Sequence, residues 1–130
     1  EVVYSPLVLK DGQYHIDFDR FRKDVQGCKL LILSNPHNPG GRVWTKEELA
    51  KIGEICLKNN VMVVADEIHN DLIMPGYEHT VYATVSEEMA QNCIVCTSPS
   101  KTFNMAGMMT SNIIVPNPEL KQKVYDYRES

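Results

Sequence analysis

No cluster of lysine and arginine occurs along this chain, and its 13 basic residues are outnumbered by 17 acidic ones. Phosphate backbones are held by clustered cations, so a net charge of -4 argues against nucleic acid as the main partner. No apolar run approaches the roughly 20 residues that cross a bilayer. The opening stretch EVVYSPLVLKDG also lacks the charged-then-apolar layout of a secretory signal. No membrane partner is expected, and the expected location is cytoplasmic. Cysteine is sparse at four residues, and only Cys93 and Cys96 have the spacing of a metal or redox pair. In a strand, residues three apart point to opposite faces, so this pair cannot grip one ion, and no second cysteine or histidine pair lies at ligand spacing. No metal is expected, and four small buried thiols suit a reducing compartment. Internal repeats and low-complexity tracts are absent.

What is present is an alternation of short apolar runs with longer amphipathic ones, the pattern of an α/β domain. At 43% hydrophobic and 23% charged content, 130 residues suffice for one globular core and no more. Lys29–Ser34 (KLLILS) reads as a strand buried on both faces. Thr45–Asn60 carries Leu49, Ile52, Ile55 and Cys56 on one helical face, with Thr45 and Glu48 spaced as a capping box and Asn59-Asn60 at the end. Val61–Ala65 is the next strand, which makes a strand, helix, strand unit with a parallel crossover. Ile94–Thr97 and Asn112–Val115 read as third and fourth strands. Shorter helices are expected over 16–25, capped by Asp17, over 86–92, and from Pro118 onward. The fold expected is a mostly parallel sheet with flanking helices, and the abrupt ends suggest a piece of a longer protein.

Three strands end in polar groups of different kinds: Ser34-Asn-Pro-His-Asn-Pro-Gly-Gly41 (SNPHNPGG), Asp66-Glu-Ile-His69 (DEIH) and Ser98-Pro-Ser-Lys101 (SPSK). The carboxyl ends of parallel strands share one edge of a sheet, so an amide, a carboxylate, an imidazole and an amine can converge on one crevice.

These motifs, in this order and at this spacing, resemble the class I/II aminotransferase family of fold-type-I pyridoxal phosphate enzymes. NPHNPGG is similar to its asparagine loop, VVADEIH to its pyridine-binding aspartate and SPSKTFNMAG to its Schiff-base lysine. Members are about three times this length, so residues 1–130 would be part of the large, cofactor-binding domain of the aspartate aminotransferase-like fold. The resemblance implies pyridoxal 5'-phosphate as cofactor, a small amino acid as substrate and a homodimer for the full-length protein. The cofactor is an electron sink for a carbanion at the substrate Cα.

Roles follow residue by residue, each beside a plainer one. Lys101 would anchor the resting cofactor and, once displaced by substrate, move the Cα proton as a free amine; otherwise it is a solvated surface lysine. Asp66, held away from water by its apolar strand, would pair with the protonated pyridine nitrogen; otherwise it caps a helix. Glu67 would point the other way and be structural. Asn38 would donate to the cofactor's phenolic oxygen, with a cis Asn38-Pro39 bond aiming it; otherwise it forms a turn. Ser98 would contact the cofactor phosphate, and Gly107 would permit close packing. His69 stands where most of the family has a tyrosine touching the phenolic oxygen; otherwise it fills a polar strand-end pocket. Met109 stands eight residues after the lysine, where many members have a phosphate-pairing arginine. Both departures point to the MalY/PatB-type carbon-sulfur β-lyase subgroup, acting on cystathionine or cysteine conjugates. Transamination, or a catalytically inert folded fragment, are the alternatives.

Overall fold

A computed structural model describes residues 1–129. Six strands and five α-helices follow one another among the described residues. Strands β1 (Leu7–Lys10) and β2 (Gln13–Ile16) form an antiparallel hairpin. Asp11 and Gly12 join them with φ of 50° and 75°, the left-handed pair that a two-residue turn of this type needs. Helix α1 (Phe18–Asp24) starts at Asp17, whose carboxylate accepts from the backbone N–H groups of Asp19 and Arg20 at 3.1 and 3.0 Å.

The main sheet contains β3 (Leu30–Ser34), β4 (Met62–Asp66), β5 (Cys93–Thr97) and β6 (Asn112–Ile114), in that spatial order. The first three are parallel and β6 runs antiparallel to β5. Helix α2 (Lys46–Lys58) makes the crossover from β3 to β4. Its start is the expected capping box: Thr45 Oγ1 accepts from Glu48 N–H, and the Glu48 carboxylate accepts from Thr45 N–H at 2.8 Å. A cap of this kind contributes about 1 kcal/mol. Helices α3 (Glu87–Gln91), α4 (Pro99–Thr102) and α5 (Pro118–Glu129) complete the chain. Among the described residues no helix is long and apolar enough to cross a membrane.

The core lies on one face of the sheet. Leu49, Ile52 and Cys56 of α2 meet Leu33, Val63, Ala65, Cys93 and Val95, with Phe21, Trp44, Tyr82 and Met89 closing the sides. The opposite face is open: Leu30 is 45% exposed, Ile32 74% and Ile113 59%. The expectation that β3 is buried on both faces is therefore wrong. It is an edge strand covered by helix on one side only, so its apolar residues fall alternately on covered and uncovered positions. The thiols differ in the same way. Cys56 and Cys93 are buried, which pushes their pKa values up to about 12 and about 11, whereas Cys28 and Cys96 are only half-buried.

Candidate functional site

The register puts the three polar motifs on one edge. Ser34 at the end of β3 lies opposite Asp66 at the end of β4, and Asp66 lies opposite Cys96 of β5. The chain leaves these strand ends into the segments carrying Asn38, His69 and Lys101.

The asparagine turn is shaped by hydrogen bonds to its own polar groups. His37 and Arg42 pair across it, with His37 N–H donating to Arg42 C=O and Gly41 N–H to His37 C=O, both at 2.8 Å. Ser34 Oγ donates to Pro36 C=O and accepts from Asn38 N–H. Asn35-Pro36 and Asn38-Pro39 are both cis, the second as expected. Gly40 cannot be replaced freely, since a Cβ there would lie 2.5 Å from His37 Nδ1. Beneath the turn Trp44 is buried, donating from Nε1 to Ser34 C=O at 2.9 Å. Arg42 stacks on Trp44 and pairs through two hydrogen bonds with Glu48, at 2.8 and 2.7 Å, so the turn is fastened to the first turn of α2.

His37 gives the turn a pH dependence. Its Nδ1 accepts from Gly40 N–H at 3.2 Å, which requires an unprotonated nitrogen, and burial holds its pKa below the ordinary 6.5. The unfolded chain then binds a proton at a higher pH than the folded one. The contribution to stability is complete above pH 6.5 and declines as pH falls below it toward the folded value. Melting curves from about pH 8 to about pH 5 should show a steeper loss for the wild type than for His37→Asn, which keeps an acceptor without the titration. Parallel curves would contradict this role for the His37 proton.

At the end of β4 the period of two separates neighbouring acids. Asp66 falls with Met62 and Val64 toward the open face, and Glu67 with Val63 and Ala65 toward the core. Asp66 is therefore exposed, not held away from water as its apolar strand suggested. Nor does it cap a helix: Oδ1 accepts from Ile68 N–H at 3.2 Å within a turn. Glu67 is fully buried and bonded, in keeping with its structural reading. His69 is half-buried in that turn.

After β5, Ser98 caps α4, accepting from Ser100 N–H at 3.1 Å and donating to Thr110 C=O at 2.6 Å. Its hydroxyl is thus already engaged. Lys101, in α4, is exposed. Met109 is 93% exposed with a left-handed φ of 48°. Gly107 is not a packing glycine, because a Cβ there would meet open space.

A cavity of about 420 Å³ joins Asn38 and His69, walled by Pro39, Leu72, Met74 and Tyr77. Asp66, Ser98 and Lys101 share the edge but do not line it. Sequence reasoning passed over these apolar walls, as well as Asn35, Arg42 and Trp44. The side chains of Asn38, His69 and Lys101 make no hydrogen bond or ion pair among the described residues, and Asp66 makes only its local one. Their neighbours Asn35, Arg42 and Glu67 are all buried and bonded. The described residues contain no group of three or more histidine, cysteine or acidic side chains able to hold a metal.

The chain is similar over most of its length to known proteins. Cystathionine β-lyase PatB of Bacillus subtilis (strain 168) is 47% identical over 118 residues, covering 89% of this chain and 30% of that protein. An aspartate aminotransferase of Bacillus sp. (strain YM-2) is 43% identical over 98 residues, covering 75% of this chain and 25% of its own. Cystalysin from Treponema denticola, whose crystal structure contains a pyridoxal 5'-phosphate cofactor, superimposes with a TM-score of 0.92 at 50% identity, covering 96% of this chain and 32% of that one. The chain thus spans less than a third of the length of these relatives. Since the aminotransferase class I and II description matches residues 1–129, essentially the whole sequence, the chain belongs to that family.

Proposed function

We propose that these residues form part of the cofactor-binding domain of a pyridoxal phosphate enzyme that eliminates a thiol from a sulfur-bearing amino acid such as cystathionine. The observation that carries the reading is the set of side chains that follow adjacent parallel strand ends and make no long-range bond among the described residues: an amide, a carboxylate, an imidazole and an amine. That donor set fits the cofactor chemically, with a carboxylate for the ring nitrogen, an amide for the phenolic oxygen and an amine for the aldehyde. When bound, pyridoxal phosphate supplies an electron sink for negative charge at the substrate Cα. Lys101 holds the cofactor between turnovers and takes the Cα proton once the substrate amine has displaced it. Asp66 would pair its carboxylate with the protonated ring nitrogen. Asn38 would donate to the phenolic oxygen, and His69, which lines the same cavity as Asn38, would serve the same end of the cofactor. Ser98 is assigned to the phosphate, exchanging its bond to Thr110 for that contact. With the Cα–H bond broken, the Cβ–S bond breaks next. The thiolate leaves with the bonding pair and takes up a proton, and water converts the remaining enamine to pyruvate and ammonia.

Transamination is the second reading, favoured by the aspartate aminotransferase relative. The two differ in whether the proton leaves Cα for good or returns elsewhere. Histidine at position 69 and methionine at 109 support elimination. Arg42, the arginine nearest the asparagine turn, is only 7% exposed and committed to Glu48, so it does not serve the substrate carboxylate. That cation comes from the rest of the polypeptide or from a second copy, consistent with a cytoplasmic homodimer. Residues 1–130 alone are accordingly inert. The test uses the full-length protein loaded with cofactor, reduced with borohydride and digested. A cofactor mass tag should fall on the peptide containing Lys101. A tag on another lysine, or none, overturns the assignment, and pyruvate release from cystathionine separates lyase from aminotransferase.

A further inference from the structure

Glu67 touches every one of the three strand ends that carry the site. Its backbone N–H donates to Cys96 C=O on β5 at 2.8 Å. Its Oε1 accepts from Asn35 Nδ2 at 3.1 Å, at the end of β3, and from Tyr82 N–H at 2.8 Å. Its Oε2 accepts from His79 Nε2–H at 2.9 Å. Asn35 in turn donates its backbone N–H to Asp66 C=O at 2.9 Å and its Nδ2 to Thr80 C=O at 3.0 Å. The carboxylate is fully buried, and so is Asn35.

A cluster of this kind is a poor device for stability alone. Desolvating a carboxylate costs several kcal/mol, and an apolar side chain of similar volume would serve the core as well or better. What the carboxylate does that a leucine could not is fix directions. It ties the asparagine turn, three residues before Asn38, to the strand end next to Asp66 and two residues before His69. The link to the strand leading to Lys101 is made by the backbone N–H of the same residue, which any side chain here would leave in place. Buried, connected polar groups of this sort favour one arrangement over its near neighbours.

We propose that Glu67 is a positioning residue for the reaction, with Asn35 and His79 as its arms, setting the spacing of Asn38 against Asp66 and His69 without touching substrate or cofactor. This rests on the reading of the site given above. Glu67→Gln is the sharp variant: its amide oxygen still accepts from Asn35 and Tyr82, but its NH₂ can be accepted by His79 Nε2 only if the imidazole moves its proton to Nδ1, a buried atom with no partner among the described residues, so the charge-assisted bond is lost. In the full-length enzyme, saturated with cofactor, this variant should lose about tenfold in kcat with little change in KM, because mispositioning is felt in the transition state. Titration of the apoprotein with pyridoxal phosphate should show affinity weakened by about tenfold as well.

His79 supplies the second arm of the test, which holds even if Glu67→Gln does not fold. His79→Gln places an amide donor near the Nε2 position and should retain most of the activity and cofactor affinity. His79→Leu removes the donor and should behave like Glu67→Gln. Wild-type kcat and cofactor affinity in Glu67→Gln, or equal losses in His79→Gln and His79→Leu, would overturn the proposal. Either result, with the borohydride tag still on Lys101, leaves the enzymatic reading standing. A wild type with no tag on Lys101 removes that reading and this one with it.

Discussion

Replacing Lys101 by alanine in the full-length polypeptide is expected to abolish turnover while leaving the fold intact. Lys101 is exposed on a four-residue helix and makes no hydrogen bond or ion pair among the described residues, so truncating it removes no packing and no partner. The melting temperature of the apoprotein should therefore not move. Proton transfer by a positioned side chain is worth about 10²- to 10⁴-fold, and in the proposed function the same amine also anchors the cofactor, so the loss in pyruvate release from cystathionine should reach at least the upper part of that range. A small added amine should restore part of the rate, since a free base can reach the space the side chain has left. An active Lys101→Ala enzyme would remove the assignment of Lys101 and the lyase reading built on it.

Much of the scaffold was legible because its signals are local. The capping box at Thr45, Asp17 ahead of α1, Ser86 ahead of α3 and the apolar runs of β3 to β5 each act over a few residues. The β1–β2 hairpin was overlooked although Asp11-Gly12 announces it, because its flanking strands are short and largely exposed and so lack strong alternation. Burial across the sheet was harder to read. Leu30 and Ile32 look like core residues in one dimension, and only the placement of helices decides which sheet face is covered.

The same distinction separates what was visible of the site from what was not. Asn38, Asp66, His69 and Lys101 stand out because strand ends deliver them to a common edge. Asn35 and Glu67, close in sequence to the conspicuous residues, carry the long-range bonds and lie 32 positions apart. No local pattern encodes a hydrogen bond at that range. A clue lay in the alternation along β4, which sends residues 63, 65 and 67 one way and 62, 64 and 66 the other. It set Glu67 on the face opposite to Asp66, and the structure shows that this is the core face. The apolar composition of the strand suggested a buried Asp66, whereas the face on which the residue lies left it exposed.

Asp66→Asn isolates the charge on that exposed carboxylate from its geometry. Asparagine has the same shape, and its side-chain oxygen can still accept from Ile68 N–H, so the turn after β4 and the register with Ser34 and Cys96 are retained. What is lost, under the proposed pairing, is the negative charge that would favour a protonated ring nitrogen, and with it the electron withdrawal that would make the Cα proton removable. Removing one preorganised electrostatic partner of a developing charge typically costs about 10²- to 10³-fold in kcat, and a loss of that order is expected here. Cofactor affinity should fall too, because a neutral amide cannot pair with a cation. Asp66→Glu keeps the charge but displaces it by one methylene, and should lie between the wild type and Asp66→Asn in both measurements. The comparison also decides between charge and hydrogen bonding. If Asp66→Asn matched the wild type in kcat and cofactor affinity while Asp66→Glu were impaired, the side chain would matter for its shape alone, and the proposed pairing with the ring nitrogen would have to be abandoned.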